Sequence, residues 1–591
     1  MTSRTPGSGG ADPVQGIDSL PAENHLQPNP VRTPTTPAFR KLAGLLAGGL
    51  ICWQTALTAV RAQPAPTPAP SPPPAAPVAP VTPVIPAAPK PKVPDVSDDA
   101  LFAGFVPKIE LLISPENIDK LAKDPRNFVE CSLKEYGGIT LEKCSVKLKG
   151  SAGSFRQIND PRPGFSLRTD KVKKGQEFRG VGKFQLNNFA QDGTMLHEQI
   201  AGEMARKAFV PASRCTHAYV LMNGKVLGTY LLKEGFNEEF LKYFFKDTRG
   251  HLYDGGFVSE VNPNTECDRG NPNDKSRLLE LIGASNEPKP ELRLPRLDKV
   301  LDIDAYFRYV FMETVLTHWD GYSFNRNNYR FYEDPTTGKF HFILHGMDQT
   351  WGDTRWYVFR QPNAMVSNAL WGDKVMRERF RAQCFLVWEK AIKPVDWPRR
   401  TEQVAADLKA KIRGYDKADA AAFDGRGRDA ANQIRARLEA VKTQMEDALK
   451  LRTPGGKAAL GKYAWGPSTD KGDTVETAYA NRDCLALKVG PSGGGDFRLQ
   501  LSLSPGRYRL DGKIQYKGVK AGDGEAKGLR LRTSGAPTDP KNPGAIGDGT
   551  WKNFAHDFVV TDAEPVLIAE LRGAAGEAWV DRGSLTLTRL P

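Results

Sequence analysis

The sequence contains few of the patterns that mark the common enzyme classes. Seven cysteines occur in 591 residues, and none forms a Cys-x-x-Cys pair or a Cys/His cluster with the spacing of zinc ligands. There is no His-Glu-x-x-His motif, and no serine stands in the strand–turn–helix context of a hydrolase nucleophile. The sequence therefore gives no support to a zinc enzyme or a serine hydrolase.

The chain has a net positive charge, but its basic residues are not concentrated in one stretch. Lys and Arg number 82 against 69 Asp and Glu, and the basic residues are scattered among acidic ones without a long run. This pattern does not indicate a nucleic-acid-binding stripe. It favours anionic partners such as nucleotide phosphates or an acidic envelope, with a solvated basic surface as the alternative.

The beginning of the chain has the pattern of an exported protein. Arg40 and Lys41 precede an apolar run over residues 42–60, and Arg61-Ala62 follow as a candidate cleavage site. These features are typical of a secretory signal, although its start lies unusually late, behind a polar segment. An uncleaved membrane anchor is the alternative, because the run approaches the length that spans a bilayer. We assign residues 1–62 to an N-terminal extension and signal peptide and predict a secreted or cell-envelope location.

Residues 63–97 are dominated by Pro and Ala. Such a segment cannot form a core or a helix and is predicted to be a semi-rigid polyproline-II spacer. Two folded regions are predicted to follow, residues 98–454 and residues 455–591.

Six cysteines remain once Cys52, which lies in the apolar run, is set aside. An even number in an exported chain permits disulfides. Cys131 and Cys144 flank a predicted turn and are the preferred pair. Buried free thiols are the alternative.

The stretch from residue 317 to 352 carries the chemistry. A phosphoryl-transfer site needs a carboxylate that orients the attacking hydroxyl and oxygen ligands for magnesium, which protein kinases supply as an H-R-D-x-x-x-x-N loop and a later Asp after a short hairpin. Asp320 and Asn325 have the spacing of that loop, and Asp348 falls where the metal Asp would lie. Trp319 replaces the loop arginine, and Gln349-Thr350 replace the Phe-Gly that usually follows. Asp residues that cap helices or form turns are the structural alternative.

Local patterns predict an α+β region before this stretch. Ser114-Pro115 marks a helix start, and Asn223-Gly224 between two apolar runs marks a hairpin. Residues 250–295 are rich in Asn, Asp, Pro and Gly and are predicted to be an irregular insertion. Apolar residues from 434 to 449 recur with helical spacing and predict a long helix with one buried face.

The first lobe should supply the cation that faces ATP. Lys149 ends a predicted strand just before the Gly/Ser loop 150–154, and Arg168 is the alternative cation. Glu198, on the helix after the strands, is placed to pair with this cation as the helix Glu of a kinase does. The alternatives are an exposed strand lysine at Lys149 and a solvated helix carboxylate at Glu198.

Two blocks, Met195–Phe240 with NGKVLGTYLLKE at residues 223–234 and Asn327–Tyr332, resemble the CotH family of spore-coat and secreted proteins. The resemblance covers roughly residues 100–450. It implies an atypical, two-lobed protein-kinase-like fold and transfer of the γ-phosphate of ATP, with Mg²⁺ or Mn²⁺, to Ser or Thr of a protein. Many members read Pro-Trp-Asp around the metal Asp, whereas His345-Gly346-Met347 precede Asp348 here. By role, the predicted site comprises Asp320 as catalytic residue, Asn325 and Asp348 as metal ligands, and Lys149, Arg168 and Glu198 as cofactor-facing residues.

After Gly455, short strands alternate with Gly-rich turns, which predicts an all-β sandwich. The order of the strands resembles a jelly-roll carbohydrate-binding module. Trp551 or Trp579 could stack on a polysaccharide, and packing within the domain is the alternative for both.

Two functions of different class follow. One is an exported CotH-like protein kinase that acts on envelope or extracellular proteins, and Asp320, Asn325 and Asp348 together favour it. The other is a non-catalytic envelope or matrix protein that binds nucleotide, metal or glycan, and the altered neighbours of Asp348 favour it.

Overall fold

The computed structural model describes residues 101–467, 473–490, 493–522, 528–535 and 544–591. The predicted N-terminal extension with its signal peptide and the predicted Pro/Ala-rich linker lie outside these ranges. No helix in the described ranges is long and apolar enough to cross a membrane. Helices and strands are mixed along the described chain, which confirms the predicted α+β class.

The first strands close into a barrel in the order β1-β2-β3-β4-β5-β7-β6. All neighbours are antiparallel except β1 and β6, which run parallel and complete the closure. A cluster of fully buried apolar side chains, among them Leu133, Val146 and Phe184, fills the barrel. The strands are β1 (Lys108–Leu112), β2 (Val129–Glu135), β3 (Thr140–Lys149), β4 (Gly164–Arg168), β5 (Lys183–Asn187), β6 (Cys215–Met222) and β7 (Lys225–Glu234).

Local signals set two of the connections as predicted. Ser114 caps the helix between β1 and β2: its Oγ accepts from the backbone N–H of Asn117 at 3.3 Å, and Pro115 is the first helical residue. Between β6 and β7, Asn223 and Gly224 have φ of 48° and 80°. Both positive values are what a two-residue hairpin turn requires.

Outside the barrel, helices pack with a four-stranded sheet of order β11-β10-β8-β9. Its strands are β8 (Leu252–Asp254), β9 (Glu266–Arg269), β10 (Tyr329–Asp334) and β11 (Lys339–Leu344). The α-helices in the described ranges are α1 (Pro115–Lys123), α2 (His197–Lys207), α3 (Glu238–Phe244), α4 (Ser276–Ser285), α5 (Pro290–Val300), α6 (Ile303–Leu316), α7 (Tyr322–Asn325), α8 (Met365–Trp371), α9 (Lys374–Val387), α10 (Trp397–Ile412) and α11 (Lys417–Lys450). Nearly every residue of α6 is buried, so this helix forms the centre of the region and leads directly to Asp320.

The irregular insertion predicted over residues 250–295 is wrong. The segment contains β8, β9 and α4, and α5 begins within it despite Pro295 in its interior. Leu278 and Leu281 are fully buried. Burial of these side chains outweighs the turn-forming composition, because tertiary packing supplies most of the stability of a helix in a protein.

After α11 the described chain contains β-strands and one short 3-10 turn. The strands form two antiparallel sheets, β14-β15-β21-β17-β19 with β12 beside β21, and β13-β16-β20-β18. Sugar binding by this region stays a prediction. The strands are β12 (Lys457–Ala459), β13 (Gly466–Pro467), β14 (Asp473–Tyr479), β15 (Arg482–Lys488), β16 (Gly494–Gln500), β17 (Gly506–Lys520), β18 (Gly528–Thr533), β19 (Gly547–Val560), β20 (Val566–Arg572) and β21 (Ala575–Arg589).

The six cysteines in the described ranges are all thiols. Cys131 on β2 and Cys144 on β3 lie directly opposite one another in the barrel wall, and both are buried. The predicted pair is therefore adjacent in space but not bonded.

Candidate active site

Asp348 lies in a short turn that follows the β10–β11 hairpin. After β11 the backbone turns at Gly346, whose φ is 60°, and Asp348 occupies the 3-10 turn that comes next. A Cβ on Gly346 would lie 2.5 Å from Oδ1 of Asn328. Glycine is therefore required here both for the left-handed backbone and for the close approach of Asn328.

The side chain of Asp348 lines a pocket at the edge of the barrel. Its carboxylate accepts no hydrogen bond from another residue among those described. The pocket is also lined by Lys149, Gly150, Ser154, Gly164, Asn187, Asn188, Phe189, Asp192 and Glu198.

Hydrogen bonds join Lys149 and Glu198 of this pocket to Lys233 in a chain. Lys149 Nζ donates to Oδ1 of Asn187, and the amide nitrogen of Asn187 donates to Glu198 at 2.7 Å. Lys233 Nζ donates to the other carboxylate oxygen of Glu198 and lies 2.9 Å from Nδ1 of His345. One glutamate thus positions two lysines, one of them directly and one through an amide.

Burial and charge shift the pKa values of these groups. Burial, followed by the negative charge of Glu198, raises the pKa of Asp348 to about 6. Burial also lowers the pKa of Lys149 to about 8, although Glu198 opposes this shift. Burial alone would raise the pKa of Glu198, but Lys233 and Lys149 outweigh it and bring that pKa below its usual value. A cation bound at Asp348 would favour its charged form, and an anion bound at Lys149 would do the same for the lysine.

Asp320 organises the turn that follows α6. Three side-chain amides donate to its carboxylate, from Asn325 at 2.6 Å, Asn327 at 3.0 Å and Asn328 at 2.7 Å. Thr317, at the end of α6, has φ of 51° and lets the chain reverse into this turn. The carboxylate of Asp320 is therefore held in one orientation by its own loop.

The turns that carry Asp320 and Asp348 are in contact. Nε2 of His318 donates to the backbone carbonyl of His345 at 3.0 Å. Burial lowers the pKa of His318 to about 4, so its imidazole is neutral at physiological pH. This hydrogen bond fixes the turns relative to one another without adding charge.

The predicted site residues fall into three groups. Lys149, Glu198 and Asp348 line one pocket. Asp320 and Asn325 are bonded to each other and are not among the residues that line that pocket. Arg168 also lies outside it, where its guanidinium donates two hydrogen bonds to Asp170 at 3.0 and 2.9 Å. The alternative reading of Glu198 as a solvated carboxylate is wrong, since its side chain is 3% exposed.

Lys233 was missed by the sequence analysis. It lies on β7, next to Glu234, and every residue in the second half of this strand is buried. A lysine inside a fully buried strand needs a carboxylate partner, and that requirement was the available signal. The partner, Glu198, lies on α2 and could not be identified from spacing.

The comparison with protein families decides the identity of this region. The family model described as CotH kinase protein matches residues 146–453. The chain belongs to the CotH kinase protein family. The matched range includes Lys149, Glu198, Asp320 and Asp348, so the CotH region contains the pocket and both turns.

Relatives of this CotH chain come from fungi and bacteria. Invasin CotH3 of Rhizopus delemar is 25% identical, over 29% of this chain and 31% of its own length. Inner spore coat protein H of Bacillus subtilis is 24% identical, over 42% of this chain and 69% of its own length. The chain thus spans about a third of the length of the invasin. A crystal structure of the Helicobacter pylori proinflammatory kinase CtkA is 10% identical, covering 47% of this chain and 94% of its own, with a TM-score of 0.23.

The donor groups that line the CotH pocket are chemically compatible with a nucleotide and its divalent cation. No group of three or more His, Cys, Asp or Glu side chains able to hold a metal occurs in the described ranges. Mg²⁺ in nucleotide sites takes one or two carboxylates, phosphate oxygens and waters, so such a group is not required. The carboxylate of Asp348, without a hydrogen bond from another described residue, and the ammonium of Lys149 are the matching donors.

Trp551 and Trp579, each proposed to stack on a polysaccharide, pack against neighbouring side chains. Trp579 is 8% exposed and stacks on Tyr479, with ring centroids 4.1 Å apart. The guanidinium of Arg482 lies over the ring of Trp551 at 5.1 Å. Neither contact identifies a ligand.

Proposed function

We propose that the chain is an exported atypical protein kinase that transfers the γ-phosphate of ATP to Ser or Thr of envelope or extracellular proteins. The observation that carries this proposal is the carboxylate of Asp348, which accepts no hydrogen bond from another described residue in a pocket with Lys149 and Glu198. A carboxylate and a cation so placed are what phosphoryl transfer requires on the nucleotide side. Family membership supports kinase chemistry independently.

The residues have distinct roles in the proposed reaction. A bound Mg²⁺ or Mn²⁺ supplies neutralisation of charge on the phosphates. Asp348 would hold the metal from inside the pocket, and Asn325, which is not among the residues lining the pocket, would offer its amide oxygen from the Asp320 turn, since its amide nitrogen already donates to Asp320. Lys149 would bind phosphate oxygens, with Gly150 and Ser154 of the neighbouring loop beside them.

Asp320 would act on the acceptor. Its carboxylate accepts the hydrogen bond of a Ser or Thr hydroxyl and orients that oxygen toward the phosphate. The amides of Asn325, Asn327 and Asn328 keep the carboxylate in place before the acceptor arrives. Positioning of this kind accounts for most of the catalysis in phosphoryl transfer.

The location of the protein is part of the proposal. The N-terminal signal pattern supports export, and relatives named as a spore coat protein and an invasin support a surface or coat location. We therefore place the acceptor proteins outside the cytoplasm.

A non-catalytic role is the second candidate. Gly346-Met347 precede the metal Asp where many family members have Pro-Trp, and the ring nitrogen of the neighbouring His345 lies 2.9 Å from Nζ of Lys233. Such a substitution is compatible with a pocket that binds nucleotide without turnover. Nucleotide binding and transfer therefore have to be measured separately.

The test is transfer of labelled γ-phosphate from ATP by the full chain with Mg²⁺ or Mn²⁺. Asp348→Asn, Asp320→Asn and Lys149→Ala are compared with Asp407→Asn, which changes an aspartate on α10. The proposal requires incorporation into a Ser/Thr acceptor that Asp407→Asn keeps and both active-site Asp variants lose. Nucleotide binding without incorporation would overturn the kinase and support the binding role. Absence of both would overturn nucleotide chemistry altogether.

A further inference from the structure

The segment that follows Asp348, residues 350–361, is held on one side by the CotH region. The backbone N–H of Trp351 donates to the carbonyl of Leu316 at the end of α6, at 2.9 Å. Arg437 on α11 is fully buried and donates to the carbonyls of Thr354 and Trp356, both at 2.7 Å. We refer to residues 350–361 as the post-Asp348 segment.

The C-terminal β region holds the other side through a charged contact. Arg355 Nη1 lies 2.6 Å from Oε2 of Glu476 on β14, and Arg582 on β21 lies 2.9 Å from the same oxygen. The backbone N–H of Ala464 donates to the carbonyl of Arg355 at 3.3 Å. Glu476 thus links the post-Asp348 segment to the larger C-terminal sheet.

A second contact lies further along the segment. The backbone N–H of Ser502 donates to the hydroxyl of Tyr357 at 3.2 Å, and the ring of Tyr357 packs on Tyr463 with centroids 5.6 Å apart. The amide of Gln500 donates to that of Gln361 at 2.7 Å. Three side chains of the segment, at 355, 357 and 361, therefore have their partners in the C-terminal region.

The boundary between the two regions is buried and continuous. One hydrophobic cluster includes Trp351 and Tyr357 on the CotH side and Leu460, Tyr463 and Leu501 on the other. A domain attached only by a linker would have a core of its own and a mostly polar boundary. The C-terminal region is packed as part of the structure around the site.

We propose that the C-terminal β region is a positioning element of the phosphoryl-transfer site: it holds the post-Asp348 segment and thereby the turn that carries Asp348. This inference rests on the proposed function. The segment begins two residues after Asp348, so its loss of order would move the metal Asp, and a displacement of about 1 Å can cost about 100-fold in rate. Arg355 and Glu476 are positioning residues and contact neither nucleotide nor acceptor.

The test uses charge reversal in the full chain. Arg355→Glu places a carboxylate against Glu476, and the double variant Arg355→Glu/Glu476→Lys restores opposite charges, while Arg582 keeps Asp483 at 3.3 Å as a partner. Asp557→Asn, which breaks an exposed pair with Arg509 inside the C-terminal region, is the matched control. Hydrogen exchange of the segment amides reports local opening, and kcat and the nucleotide dissociation constant report the site.

Arg355→Glu should raise amide exchange in residues 350–361 and lower kcat, each by about tenfold, with little change in nucleotide affinity. The double variant should recover most of both effects, and Asp557→Asn should show neither. Unchanged exchange in Arg355→Glu would overturn the holding role whatever the activity. Raised exchange with unchanged kcat would overturn its importance for catalysis. A wild-type chain that transfers no phosphate overturns the proposed function and the catalytic part of this inference, whereas the exchange result still decides the holding role.

Discussion

Lys233 and Glu198 form an ion pair closed off from solvent, with side chains only 1% and 3% exposed. Glu198 belongs to α2 and Lys233 to β7, so the pair fastens the helix to the barrel beside the pocket. The same carboxylate accepts from Asn187 at 2.7 Å, and Asn187 accepts from Lys149. The position of Lys149 therefore depends, through Asn187, on the ion pair of Glu198 with Lys233.

Replacing Lys233 with Met should destabilise the full chain strongly. The substitution leaves Glu198 buried without its ion-pair partner, which typically costs about 3–5 kcal/mol. Lys242→Met is the control, because it breaks an exposed pair with Glu238 and should cost at most about 1 kcal/mol. Urea unfolding of the two variants measures both values. A loss below about 1 kcal/mol for Lys233→Met would contradict the role given to the pair.

Arg437→Met should be similarly destabilising, for a different reason. The buried guanidinium donates to the carbonyls of Thr314, Val315, Thr354 and Trp356, and its removal leaves these acceptors without that donor. Each buried polar group left unpaired costs about 1–3 kcal/mol. The carbonyls of Thr314 and Trp356 keep the Thr317 N–H and the Gln444 amide as donors, so the loss falls on the other two carbonyls and we expect a total of about 3 kcal/mol.

The control for Arg437 lies on the same helix. Arg435 is half exposed and pairs loosely with Glu402 at 3.7 Å, so Arg435→Met should change the unfolding free energy by about 0.5 kcal/mol or less. Thermal unfolding of both variants gives the comparison. Equal effects would mean that the four carbonyl contacts contribute nothing beyond loss of an arginine.

Gly321→Ala should disturb the Asp320 turn. A Cβ at this position would lie 2.1 Å from Oε1 of Glu313, which is fully buried and cannot move aside without cost. Overpacking of this kind costs about 1–3 kcal/mol, and transfer activity should fall with it. Gly352→Ala is the control, since nothing lies within 4 Å of its added Cβ. Activity and unfolding of Gly321→Ala that match Gly352→Ala would refute the prediction.

Glu313 should make stability depend on pH. Burial raises the pKa of its carboxyl from 4.5 to about 8, even though the hydroxyl of Tyr309 donates to it at 2.8 Å. The stabilising contribution is therefore complete below about pH 4.5 and is lost as the pH rises through about 8. Glu313→Gln removes this titration and nearly preserves the shape of the side chain.

The comparison of wild type with Glu313→Gln isolates this effect. Relative to the variant, the unfolding free energy of the wild type should fall by about 4 kcal/mol between about pH 5 and pH 8 and level off above that. Urea unfolding at a series of pH values gives the two curves. Parallel curves across this range would show that Glu313 has an ordinary pKa in the folded chain.

Elements with local causes could be predicted from the sequence. The cap at Ser114 and the turn at Asn223-Gly224 act over a few residues, so their patterns were sufficient. The spacing around Asp348 also placed the hairpin before it correctly. Of the residues predicted to face a nucleotide, Lys149 and Glu198 line the pocket and Arg168 lies outside it.

Features that depend on distant contacts could not be predicted in this way. The barrel closes because β1 pairs with β6, which lies more than a hundred residues later in the chain. The sequence of neither strand identifies the other as its partner. Lys233 reaches Glu198 across 35 positions, and Arg437 reaches Val315 across 122. Residue type and spacing do not reveal such long-range contacts. Members of a homologous family share them because they share a fold.

Helix α11 contacts three separate parts of the structure along its length. Its 34 residues extend about 51 Å at the usual rise. Asp419 near its start bonds Thr229 of the barrel at 2.5 Å, Arg437 meets the end of α6, and Asp447 near its end accepts from Tyr463 of the C-terminal region at 3.3 Å. Inserting one residue would rotate everything beyond it by about 100°, so all three contacts could not be kept. The length of this helix should therefore resist insertion and deletion even where its exposed surface tolerates substitution.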